Sequence, residues 1–280
     1  MSALQEARLR FAEDVRRCAK VQTAALLEAL ATVPREAFLP PGPWAVRGGG
    51  AADMTPDADP RHLYQDVSVA IDEGRQLFNG APSAVLPALD ALCVTTGDRV
   101  FHVGCGLGYY TALLAHVVGR TGRVRAVEID EAMARHARAN LVRYESVTVE
   151  QGDGAGPIDE SFDAILIHAG VTQPLDVWLD AIPVGGRVVL PITTTLPGLA
   201  HVSKGVMVGL TKANDQQFDV RPLGFTMIYT AVGLRDEALN AAIGGALLRG
   251  FADQVTQLRR DAHPPDATCL LHGPTCCFRT

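Results

Sequence analysis

Val100-Phe101-His102-Val103-Gly104-Cys105-Gly106-Leu107-Gly108 is an apolar run that stops in three glycines at alternate positions. Such a run bounded by glycine predicts a buried strand, Arg99–Val103, turning tightly into a helix that opens at Tyr109. Glycine suits a turn whose backbone must approach a ligand more closely than a Cβ permits. The same glycines also suit an ordinary strand-to-helix turn, so the stretch alone does not establish a ligand.

Two carboxylates downstream narrow the reading. Glu128 ends the next apolar run in Val127-Glu128-Ile129-Asp130, 20 residues after Gly108, where a carboxylate can accept both hydroxyls of a ribose. Asp153, in Gln151-Gly152-Asp153-Gly154, follows a third strand and can accept from an adenine amino group. A dinucleotide loop would take glycine where Tyr109 stands. A nucleoside without a pyrophosphate fits better, and S-adenosyl-L-methionine, with S-adenosyl-L-homocysteine as product, is the expected cofactor. Gly104, Gly106, Gly108, Glu128, Ile129, Asp153 and Gly154 are the residues expected around it, with Phe78 from upstream.

Outward from this loop, helix and strand signals alternate from Pro82 onward, as a parallel sheet with crossover helices requires. Helices are expected at Pro82–Leu92, Tyr109–Val118, Glu131–Tyr144 and Leu175–Ile182, and strands at Arg99–Val103, Arg123–Glu128, Val147–Glu150, Ala164–Ile167 and Arg187–Leu190. A hairpin, Gly205–Leu210 with Phe225–Val232, a helix Glu237–Arg259 and an irregular tail follow. Upstream, the spacing over Ala3–Ala31 predicts one amphipathic helix. The segment from Pro34 to Pro60, with Gly48, Gly49 and Gly50 inside it, has too many breakers for regular structure and reads as a partly mobile connection. The expected fold is therefore α/β, a Rossmann-like, doubly wound, mostly parallel sheet with helical extensions at both ends. Its parts are an N-terminal helix and loop segment covering the active site (1–79), the cofactor domain (80–235), and a C-terminal helix with a Cys/His tail (236–280).

A chain of 280 residues, 48% hydrophobic, can bury a large core. The charged residues of Met1–Lys20 leave no room for a signal peptide or anchor. The net charge is −6 with basic residues dispersed, which argues against nucleic acid or membrane as a partner and for a peptide or small-molecule acceptor. Six cysteines, three of them near the C-terminus, make no secreted disulfide framework, and a cytoplasmic setting is expected.

The chain resembles the protein-L-isoaspartate O-methyltransferases. The likeness begins with Val33-Pro34-Arg35-Glu36-Ala37-Phe38 and Tyr64-Gln65-Asp66. It continues through Gly97-Asp98-Arg99-Val100, the glycine loop, Val127-Glu128-Ile129, Gly152-Asp153-Gly154, Phe162-Asp163-Ala164-Ile165 and Val184-Gly185-Gly186-Arg187, covering about Val33 to Leu223. The resemblance implies a class I methyltransferase fold, the cofactor above, and methylation of a carboxylate, on a peptide in that family. It also implies an active-site serine in a Thr-Ile-Ser-Gln-Pro type segment. Here that stretch is Gly74-Arg75-Gln76-Leu77-Phe78-Asn79-Gly80, with Phe78 or Asn79 where the serine would fall and no hydroxyl residue in the window. Asn79 or Gln76 is expected to supply the missing polar contact.

His168 ends the fourth strand of the parallel series, at the edge where ligands of open α/β sheets bind, and is a candidate general base titrating near 6 to 7. It would be needed for an amine or hydroxyl acceptor and not for a carboxylate, and it can equally pack beside the cofactor. His102 reads as a core histidine, Asp130 as the N-cap of the following helix, and Phe225–Tyr229 as core strand. The tail residues His263, Cys269, His272, Cys276 and Cys277 have the chemistry of zinc ligands, but their spacing matches no common structural pattern and no metal site is expected. Two other functions remain open at this point: methylation of a small metabolite or natural product in a Phe78-lined pocket, and non-catalytic binding of S-adenosylmethionine. Release of S-adenosylhomocysteine separates enzyme from scaffold.

Overall fold

A computed structural model describes residues 1–48, 51–196 and 198–280, so Gly49 and Gly50 of the breaker-rich segment lie outside the described residues. The elements run α1 (Ala3–Ala19), α2 (Ala24–Thr32), β1 (Ala45–Gly48), β2 (Ala51–Met54), β3 (Ser68–Asp72), β4 (Leu77–Phe78), α3 (Pro82–Ala91), β5 (Arg99–Val103), α4 (Tyr109–Val118), β6 (Arg123–Glu128), α5 (Glu131–Asn140) and β7 (Val147–Gln151). They continue with β8 (Ala164–Ile167), α6 (Asp176–Asp180), β9 (Arg187–Leu196), β10 (Leu199–Asn214), β11 (Gln217–Tyr229), α7 (Glu237–Leu248), α8 (Phe251–Gln254), β12 (Gln257–Arg259), β13 (Cys269–His272) and β14 (Cys277–Arg279). The fold is α/β and Rossmann-like, with parallel ladders β6/β7, β5/β8 and β8/β9. The chain divides into two units, Met1–Gly97 with Cys105–Gly152, and Asp98–Gly104 with Asp153–Thr280.

In the first unit the single N-terminal helix expected from periodicity is two helices. Lys20 closes α1 in the left-handed region at φ 55°, and the carboxylate of Asp90 accepts the N–H groups of Gln22 and Thr23, which satisfies free amides at the start of α2. The connecting segment also differs from expectation, because it contains the short strands β1 and β2. β1 pairs antiparallel with β2 and β3, and β3 with β4, in the order β2-β1-β3-β4. Its prolines and glycines fall largely between short strands, and Trp44, Leu63 and Val69 form a small core of their own. Asp130 caps α5 by accepting the Met133 N–H at 2.9 Å, as the sequence predicts.

In the second unit the strands lie in the order β13-β14-β12-β11-β10-β9-β8-β5. The first steps outward from β5 are parallel and all those from β9 to β13 antiparallel. Phe101 stacks on Phe162 with centroids 5.2 Å apart, and Trp178 of α6 is fully buried. The hairpin is present with much longer strands, turning at Asp215-Gln216. Phe225 and Met227 are on a strand but not in the core: they alternate onto one solvent face and are 79% and 71% exposed. The expected helix Glu237–Arg259 ends at Leu248, because Gly250 at φ +85° starts a separate turn and Gln257–Arg259 pairs with β11. Asn240 holds α7 in place by accepting the Thr195 N–H at 3.0 Å and a bond from Arg235 at 2.6 Å. The tail is not irregular either, since β13 and β14 add to β12. Among the described residues no helix is long and apolar enough to cross a membrane.

Candidate active site

The glycine loop sits where the sequence places it, between β5 and α4. Gly108 is the N-cap of α4 at φ +96°, and a Cβ there would come within 2.7 Å of Leu141 Cδ1, so glycine is required on both counts. Tyr109 in the first turn is buried edge-on against Phe38 at 5.8 Å, an aromatic contact in place of the third glycine of a dinucleotide loop.

Glu128 is buried, and a buried carboxylate without donors is costly. Here it has two: Oε2 accepts the Gly106 N–H at 2.7 Å and Oε1 the Asp130 N–H at 3.1 Å. The carboxylate therefore clamps the glycine loop to the end of β6, and each oxygen keeps a further acceptor site for a hydroxyl. Beside it Ile129 is 40% exposed, an apolar side chain offered to solvent next to a polar clamp. Acceptors for a diol next to a flat apolar surface fit the ribose and base of the expected cofactor.

The acceptor segment belongs to the same unit. Asn79 Oδ1 accepts the Val69 N–H at 2.9 Å and Arg35 Nη2 at 3.4 Å. Two donors facing one end fix the amide, since a flip would turn NH2 toward N–H. Its Nδ2 makes no hydrogen bond to the described residues and is left as a free donor. Gln76, the other expected contact, has its Oε1 engaged by Arg47 at 2.7 Å and its Nε2 by the Glu73 carbonyl at 2.8 Å. Phe78 is buried in β4 with the Arg47 guanidinium 3.8 Å from its ring centroid, so that face of the ring is covered and not a pocket wall.

Arg75 reaches Asp72 of β3 and Asp130 beyond β6, both at 2.5 Å, and so ties this segment to the end of the strand that carries Glu128. The glycine loop passes close to β3, since a Cβ added to Gly106 would lie 3.5 Å from Ile71 Cδ1. Behind Asn79, Arg35 is fully buried and donates to the carbonyls of Leu63 (2.8 Å), Gln65 (3.3 Å) and Val67 (2.6 Å). Tyr64 accepts the Arg35 N–H at 3.0 Å and donates to Glu36, which also pairs with Arg8. Burial and Glu36 together push the Tyr64 phenol well up. The Val33–Phe38 segment is thus the bracket that positions Asn79.

In the second unit Gly104 directly follows β5, with a Cβ placed there 3.3 Å from the His168 carbonyl oxygen. Asp153 is exposed; Oδ1 accepts the Ala155 N–H at 3.0 Å, while Oδ2 takes no hydrogen bond from the described residues. The Gly154 carbonyl accepts the Trp178 indole N–H at 2.8 Å. His168 donates its backbone N–H to Val103 at 2.8 Å and lies over His102 with centroids 5.8 Å apart. Part of the residue is accessible, yet the protein around the imidazole lowers its pKa to about 4, away from the expected 6 to 7. His102, fully buried, is also held well below the ordinary histidine value, by burial first and by His168 second. Arg35, Arg47 and Arg75 escaped the sequence reading as site residues. Arg35 and Arg75 lay inside quoted segments, whereas Arg47, in the breaker-rich stretch, carried no signal.

The profile of the family described as Protein-L-isoaspartate(D-aspartate) O-methyltransferase (PCMT) matches residues 52–228. A protein-L-isoaspartate O-methyltransferase of Aeropyrum pernix is 36% identical over 195 residues, 68% of this chain and 68% of the relative. One of Methylorubrum extorquens is 34% identical over 239 residues, 82% of this chain and 92% of the relative. A solved protein-L-isoaspartate O-methyltransferase superposes with a TM-score of 0.66 at 24% identity, covering 86% of this chain and 68% of that one. A Plasmodium falciparum structure with S-adenosyl-L-homocysteine gives 0.60 at 16% identity, covering 80% of this chain and 97% of that one. The family profile and the relatives define an S-adenosylmethionine-dependent methyltransferase on the fold that the solved structures share. The chain belongs to the protein-L-isoaspartate(D-aspartate) O-methyltransferase family, enzymes that methylate a carboxylate on protein acceptors.

Proposed function

We propose that the chain esterifies a carboxylate of a peptide, with Asn79 and Arg47 holding the acceptor in place of the family's serine. The observation that carries this is the orientation of Asn79, whose amide presents a donor, held by Arg35 and Val69, on the segment joined by Arg75 to the end of the strand that carries Glu128. A carboxylate takes such a donor, and the exposed Arg47 guanidinium adds a charge of the right sign. S-adenosylmethionine, when bound, supplies a methyl group on a sulfonium. Glu128 would hold its ribose hydroxyls, Asp153 through Oδ2 its adenine amino group, and Ile129 with Gly104, Gly106, Gly108 and Gly154 would line its path. Phe78 would support from behind. Residues 1–79 then serve the acceptor, 80–235 the cofactor, and 236–280 neither. A cytoplasmic setting and a peptide partner, with no nucleic acid or membrane, complete the reading.

A carboxylate is ionised at pH 7 and no proton has to leave it, so positioning is the main requirement, worth roughly 7 to 11 kcal/mol of the barrier. A histidine held at about 4 is neutral at pH 7 but a weak base. With that pKa, both a carboxylate acceptor and a histidine base give a rate that is flat above pH 6, so a variant must separate them. His168→Gln is expected to keep kcat within about threefold, whereas Asn79→Ala, losing one hydrogen bond to a charged group, raises the acceptor KM by about tenfold or more. A loss of about 100-fold in His168→Gln with cofactor affinity intact would show that a proton is abstracted, and the acceptor would then be an amine or a hydroxyl.

A further inference from the structure

The C-terminal tail gathers four side chains that neither the cofactor nor the acceptor uses. His263, Cys269, His272 and Cys277 each offer one ligand atom, and these atoms all lie within 4.8 Å of one another. All the cysteines are free thiols. We propose that these four residues bind one zinc ion in a closed tetrahedral site that staples the end of the chain to its sheet.

The backbone explains how an unpromising spacing becomes a site. His272 and Cys277 are directly opposite in the β13/β14 ladder, so their side chains share a face. Cys269 and His272 are three residues apart on one strand, which in regular pleating puts them on opposite faces. A register shift between Cys269 and Leu271 removes that conflict, the usual way a bulge re-aims a side chain. His263 comes from the loop after β12, so the four residues tie together three segments that are otherwise short strands and turns.

Local geometry agrees with a metal centre. His263 Nδ1 lies 2.8 Å from the Asp261 carbonyl, a bond that selects the tautomer with Nδ1–H and leaves Nε2 as the ligand atom. That Nε2 is 3.6 Å from Cys269 Sγ. Zinc bonds of about 2.3 Å to sulfur and about 2.1 Å to nitrogen at a tetrahedral angle require a separation of about 3.6 Å. The rings of His263 and His272 stand at 88° with centroids 4.8 Å apart, edge to face and not stacked. The Asp266 N–H donates to Cys269 Sγ at 3.3 Å, which holds the sulfur in place beside His263. Two thiolates and two imidazoles make a donor set that selects zinc among common divalent ions, neutral once the ion is bound. Cys276, adjacent in sequence and buried, is not one of the four.

Full-length protein purified under reducing conditions in the presence of zinc is expected to carry about one zinc per chain by elemental mass spectrometry. Cobalt in its place should give the intense visible absorption of a tetrahedral site and a thiolate charge-transfer band. Cys269→Ser and His272→Asn should each weaken zinc binding by about 100-fold or more, while Cys276→Ser leaves it unchanged. His272 is exposed, so its variant reports on ligation with the fold intact. Absence of metal, retention of zinc by both ligand variants, loss in Cys276→Ser, or a Cys269–Cys277 disulfide in the reduced preparation would each overturn the proposal.

Discussion

Replacing Glu128 by alanine should weaken S-adenosylhomocysteine binding by about 3 kcal/mol, roughly 100-fold, measured by calorimetry on the folded variant. The size follows from two roles in one carboxylate. Its oxygens already accept from Gly106 and Asp130, holding the glycine loop to β6, and their remaining acceptor sites are those a ribose diol would use. Glu128→Gln should rescue little, because one oxygen becomes an NH2 that faces a backbone N–H. Unchanged affinity in the alanine variant would remove Glu128 from the cofactor site and leave it a structural clamp alone.

The larger effect is expected at Arg35, where Arg35→Met should cost about 3 to 5 kcal/mol of stability, read as a lower denaturant midpoint at unchanged slope. Methionine fills much of the volume but leaves the carbonyls of Leu63, Gln65 and Val67 without the donor that the fully buried Arg35 supplies. The amide of Asn79 loses one of the two donors that orient it, so kcat should fall as well in whatever fraction remains folded. A variant of native stability would mean that the bracket is tolerant and that Asn79 is positioned by Val69 alone.

What could be read from the sequence depended on how local the signal was. The strand, glycine loop and helix from Arg99 to Val118 came out at the observed boundaries, since apolar run, turn and helix start follow one another without a gap. Asp130 as a cap and Glu128 as a buried carboxylate with partners were legible for the same reason. The β1–β4 sheet was not, because strands of two to five residues are stabilised by partners distant in sequence, and prolines at their turns look the same as prolines in a loop. That hid Arg47 and its guanidinium over the Phe78 ring. The C-terminal strands were missed likewise, and with them the bulge that brings Cys269 and His272 to one face. The shift in His168 comes from the packing around its ring, which no local pattern encodes.

The most direct test of the central claim is to incubate the protein with methyl-labelled S-adenosylmethionine and an isoaspartyl peptide, then expose the product to mild base. Esterification of a carboxylate predicts label that is lost as methanol on base treatment, with one S-adenosylhomocysteine released for each methyl transferred. Label that survives base, on nitrogen, carbon or an ether oxygen, or no transfer to any carboxylate-bearing peptide, would contradict it.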